Sequence, residues 1–164
     1  MADRPENTID SEEDSMKGRF LTFLIGEERF GIEITYVVEI IGMQPITEMP
    51  EMPDYIRGII NLRGKIIPVL DTRLRLKKPQ IEYDDRTCII VIVFHGISMG
   101  LIVDRVSEVL PIPEDDIAEK PKISCRESRG YIKSIGKVGE HVILLIDCDK
   151  LLNDEEFDAV SAQL

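Results

Sequence analysis

Gly96-Ile97-Ser98-Met99-Gly100 fits the G-x-S-x-G pattern, in which a sharp strand-to-helix turn holds a serine Oγ out for attack. His141 lies downstream, with Asp104 or Asp116 between, in the chain order of a hydrolase triad. As chemistry this is a serine hydrolase, with Ser98 the nucleophile and His141 its base. Two other patterns suggest chemistry. Gly58 to Lys65 resembles a phosphate-binding loop, but five residues separate its glycines where four are needed, and Ile66 stands where a magnesium-holding Ser or Thr belongs. Ser134-Ile135-Gly136-Lys137 satisfies S-x-x-K without the S-D-N or K-T-G partners such a site uses. His95 and His141 are far apart, and Asp84-Asp85 and Asp115-Asp116 form no ladder of metal ligands, so neither metal nor cofactor is expected.

Whether Ser98 is a nucleophile depends on the elements around it. Thr87 to His95 reads as a strand, and Gly100-Leu101-Ile102 continues as another, so Gly96 sits at a hairpin rather than at a strand-to-helix elbow. The same arrangement occurs earlier: Phe20 to Ile25 is a strand, Gly26-Glu27-Glu28 turns, and Arg29 to Ile32 resumes. This likeness extends along the chain. Phe30-Gly31-Ile32 recurs as Met99-Gly100-Leu101, and the glycine-to-glutamate spacing is 8 both times (39 minus 31, 108 minus 100). Tyr55-Ile56-Arg57 recurs as Tyr131-Ile132-Lys133, with 16 residues from tyrosine to the following aspartate in each (71 minus 55, 147 minus 131).

The chain is therefore duplicated, with an offset that grows from 69 to 76. The extra residues belong in the polar Glu114–Ser128 stretch, read as a loop. In each copy an i, i+3, i+4, i+7 pattern interrupts the strands, at Ile34, Val37, Val38 and Ile41 and again at Val103, Val106, Ser107 and Leu110. It predicts a turn or two of helix, from which Glu39 faces outward. Each copy closes with a hairpin, Gly58–Leu62 against Lys65–Leu70 and Ile135–Val138 against His141–Ile146. The fold expected is all-β: two small barrels packed together, about residues 19–80 and 86–152 with some strand sharing, after an acidic tail of residues 1–16.

Composition narrows the partner. A formal net charge of -11 disfavours nucleic acid and anionic membrane, both of which reward Lys and Arg. With no signal peptide and no apolar run of membrane length, a cytoplasmic location is expected. Cys88, Cys125 and Cys148 are odd in number and widely spaced, which suggests buried or incidental thiols rather than a disulfide framework or a zinc site.

Asn61-Leu62-Arg63-Gly64-Lys65-Ile66-Ile67-Pro68-Val69 resembles the NLRG-x-[VI]-[VI]-P-[VI] signature of the CheW family. Phe30–Ile34, Val37–Ile40, Pro53–Gly58 and Leu151–Asn153 agree with it, so the likeness runs from about Phe20 to Asn153. The resemblance implies that the two barrels are five-stranded and SH3-like, and that they form a non-catalytic chemotaxis adaptor that ties the regulatory domain of the histidine kinase CheA to the cytoplasmic tips of chemoreceptors, and so is recruited to membrane-associated arrays. It also implies that Arg63, Val37 and Glu39 contact a partner, with Ile40, Gly58, Asn61 and Gly64 around them. The kinase's own regulatory domain and the front half of a CheV-type protein share the likeness, but neither kinase motifs nor a receiver domain follow Leu152. Read without the resemblance, Arg63 is a solvated turn residue, and Val37 and Val38 are core.

Overall fold

Short β-branched and aromatic runs broken by glycine turns produce eleven strands in the computed structural model, which describes residues 17–119 and 130–151. They are β1 (Arg19–Ile25), β2 (Glu28–Glu33), β3 (Val37–Gly42), β4 (Ile56–Leu62), β5 (Lys65–Asp71), β6 (Cys88–Phe94), β7 (Ile97–Val103), β8 (Arg105–Pro111), β9 (Ile117–Glu119), β10 (Ile132–Val138) and β11 (His141–Ile146). Two single-turn helices, α1 (Thr72–Arg75) and α2 (Cys148–Leu151), follow β5 and β11. The acidic tail, Cys125 and the residues after Leu151 lie outside the described residues.

The duplication is visible in the strand register. Phe23 pairs with Phe30 across β1–β2, and Ile92 with Met99 across β6–β7, each displaced by 69. Gly58 pairs with Val69 across β4–β5, and Ser134 with Leu145 across β10–β11, each displaced by 76. The hydrogen-bonded sheets cross the duplication: one runs β8-β1-β2-β11-β10-β9 and the other β3-β6-β7-β5-β4. The first hairpin of each copy thus sits among strands of the other, joined through the parallel pairs Gly31–Leu145 and Val69–Gly100.

Each sheet curls until its edges approach. Thr47, beyond β3, exchanges two 2.9 Å backbone hydrogen bonds with Ile59 of β4, which joins the two edges of the five-stranded sheet. In the other sheet the edge strands β8 and β9 are separated only by Ile112 to Asp116, which limits the end of one and the start of the other to about 20 Å apart. The expected mostly-β, two-sheet architecture is present, with six strands rather than five in one sheet. The sixth, β9, pairs Ala118 with Ile135 where Thr47 makes a lone bridge to Ile59, so part of the expected Glu114–Ser128 loop is a 3-10 turn (Glu114–Asp116) and a strand.

The expected helical stripe is also corrected. Only Ile34–Tyr36 forms a 3-10 turn; Val37–Gly42 is strand β3 paired to β6, and Arg105–Pro111 is strand β8 paired to β1. β-Branched side chains lose rotamer freedom in a helix and fit a pleat, and the neighbouring strands supply backbone partners.

Three clusters hold the fold. Ile60, Ile67, Val69, Ile89, Val91 and Ile102 fill the five-stranded sheet, and Phe20, Ile112, Ile143 and Leu145 fill the six-stranded one. Between the sheets lies the largest cluster, where Leu21, Phe23, Ile25 and Phe30 of one hairpin join Ile90, Ile92, Met99 and Leu101 of the other. Each hairpin is buried on both faces, and this accounts for its nearly unbroken apolar sequence. A charged clasp supports the arrangement: Arg73 donates to both carboxylate oxygens of Asp104 at 2.8 and 2.6 Å, and the Gly26 N–H donates to Asp104 at 2.7 Å. Burial works against ionisation of Asp104, but the Arg73 guanidinium and the Gly26 amide outweigh it and hold the carboxyl below its usual range.

Candidate functional site

Arg63 and Gly64 form the two-residue link between β4 and β5, with φ of 52° and 86°. Positive φ at both positions is type I′ geometry, which suits the twist of a hairpin but favours Asn, Asp or Gly at the first position. Arginine there costs on the order of 1 kcal/mol of backbone strain. The turn is steadied by Asn61, whose Oδ1 accepts a 2.8 Å hydrogen bond from the Gly64 N–H. The strained position projects the Arg63 side chain, 68% exposed, towards the opposite edge of the sheet, where its guanidinium pairs with the Glu39 carboxylate.

Glu39 is therefore not the outward-facing residue of a helix. In strand β3 the alternation turns Val37, Glu39 and Ile41 to the half-buried side, and exposes Val38 (56%) and Ile40 (45%). The structure thus brings together Arg63, Glu39, Asn61 and Gly64, and leaves Ile40 exposed on the same strand as Glu39. Gly58 is different: it lies buried inside the curled sheet, against the Thr47 carbonyl. Val38, Ile66, Val93 and Ile97, all exposed and all on this sheet, were not among the sequence-derived candidates. Period-two reading of Val37–Gly42 would have found Val38.

The hydrolase pattern is taken apart by the topology. Gly96–Gly100 is the turn and first residues of an antiparallel hairpin, not a strand-to-helix elbow. The Ser98 Oγ accepts a 2.8 Å hydrogen bond from the Lys65 Nζ, while His141 begins β11 in the other sheet. Among the described residues, no group of three or more His, Cys, Asp or Glu is placed to hold a metal ion. No helix among them is long and apolar enough to cross a membrane.

Of the two described thiols, Cys148 is buried and Cys88 partly so. Burial pushes the Cys88 thiol up, and burial together with the Glu33, Asp147 and Asp149 carboxylates pushes Cys148 up to about 12. At pH 8 the native Cys148 is then about one part in ten thousand thiolate. Iodoacetamide should alkylate it at least a hundred-fold more slowly in the folded chain than in the urea-unfolded chain, read by peptide mass spectrometry. A thiol whose folded value is raised favours the native state below its unfolded value of 9.0, so stability should decline as pH rises from about 9 towards 12. Equal alkylation rates would contradict the burial.

Two curled sheets woven from a duplicated chain define the class: a mostly-β scaffold whose most distinctive exposed feature is a strained, paired arginine among aliphatic residues. A CheW-like domain model matches residues 19–156. The chain is 37% identical over 141 residues to the chemotaxis protein CheW of Klebsiella aerogenes, covering 86% of this chain and 85% of that one. It is 33% identical over 137 residues to the Bacillus subtilis CheW, covering 84% and 88%. The crystal structure of the scaffolding protein TtCheW from Thermoanaerobacter tengcongensis superposes with a TM-score of 0.77 at 35% identity, covering 83% of this chain and 92% of that one. The chain belongs to the CheW family.

Proposed function

We propose that this chain is a chemotaxis adaptor that couples the regulatory domain of the histidine kinase CheA to the cytoplasmic tips of chemoreceptors, catalysing nothing itself. In this reading it works in the cytoplasm, at membrane-associated receptor arrays. The observation that carries the reading is Arg63, a solvent-facing arginine kept at a position where arginine strains the backbone. A fold selected for stability alone favours Asn or Gly there.

The mechanism is geometric. A rigid double sheet offers separate faces, and each partner's state is felt by the other as a coupling energy of about 1–3 kcal/mol, enough to change kinase output several-fold or more. Arg63, Glu39 and Val37 are the residues proposed to meet a partner, together with exposed Ile40 and, from the structure, Val38.

The test separates turn stability from recognition. Arg63→Asn removes the guanidinium but suits a left-handed turn position, so the melting temperature should hold or rise. Affinity for the kinase regulatory domain or a receptor tip, measured by calorimetry, should fall at least ten-fold, about 1.4 kcal/mol. Unchanged affinity for both would end the assignment of Arg63.

A further inference from the structure

We draw no further inference here: the strongest candidate, the surface patch of exposed aliphatic residues that the duplication places at equivalent points of the two sheets, Ile40 and Ile66 on the five-stranded one and Val109 and Val142 on the six-stranded one (40 plus 69, 66 plus 76), is an unpartnered apolar face with nothing in the structure to show what covers it.

Discussion

Gly58→Ala is expected to cost about 4 kcal/mol or more, a large part of the 5–15 kcal/mol that holds a domain of this size together. Gly58 has φ of 145°, a conformation that L side chains rarely adopt. A Cβ there would stand 2.2 Å from the Thr47 carbonyl oxygen and 2.8 Å from the Thr47 carbonyl carbon. Both obstacles are backbone, and that backbone is fixed by the pair of 2.9 Å hydrogen bonds between Thr47 and Ile59 that draw the sheet's edges together. Relief of the clash opens the sheet. Gly64→Ala is the control: φ is 86° but nothing lies within 4 Å of its Cβ, so only turn strain of about 1 kcal/mol is expected. Urea denaturation of the two variants should therefore separate by about 3 kcal/mol, and equal losses would mean that the Thr47–Ile59 bridge does not close the sheet.

The same residue marks where sequence reasoning reaches its limit. Gly58 stands in the family-like stretch and so enters the list of candidate contacts, yet its geometry accounts for a glycine without any partner. The strands and hairpins were legible because alternation and turn residues are local. The duplication was legible because two spacings recur, and the structure repeats them in its registers. Some sharing of strands between the halves was expected, but not that the whole first hairpin of each would be exchanged. Phe20–Ile32 and Cys88–Val103 carry the same pattern, so either pairing satisfies it, and only packing across the central cluster decides.

The predicted helix failed for an instructive reason. Ile34, Val37 and Ile41 do all turn inward, at spacings that suit a helix. They do so because a 3-10 turn precedes β3 and a bulge between Val37 and Glu39 shifts its register against β6, which lets a strand imitate a helical stripe. Val38, which the stripe would bury, is exposed. The pairing of Arg63 with Glu39 was out of reach because 24 residues separate them and only curling of the sheet brings them together.

Arg75→Ala is the second change expected to have a large effect, for a reason that concerns how the halves hold one another. Arg75 is 5% exposed, and its guanidinium lies 4.4 Å from the ring centre of Tyr55 and 4.6 Å from that of Tyr131, the two tyrosines related by the duplication. Its Nε donates to the Leu151 carbonyl at 2.7 Å, and Leu151 is its own counterpart (75 plus 76). One side chain thus breaks the symmetry at the centre of the molecule and bonds the first half to the closing turn of the second. Burial lowers the guanidinium's pKa, but its ordinary value of 12.5 leaves the charge in place at neutral pH. Truncation removes two cation–π contacts worth roughly 0.5–1 kcal/mol each and strands a buried carbonyl at about 1–3 kcal/mol, so a loss of about 2–5 kcal/mol is expected in urea denaturation. Arg75→Lys keeps the charge but not the planar group that lies against both rings, nor the Nε donor, and should recover less than half of that loss. Full recovery by lysine would show that charge alone matters at this position. Recovery of stability by Arg75→Met, with neither charge nor donor, would show that the halves are joined by packing, and that the rigid relay proposed for this adaptor does not pass through Arg75.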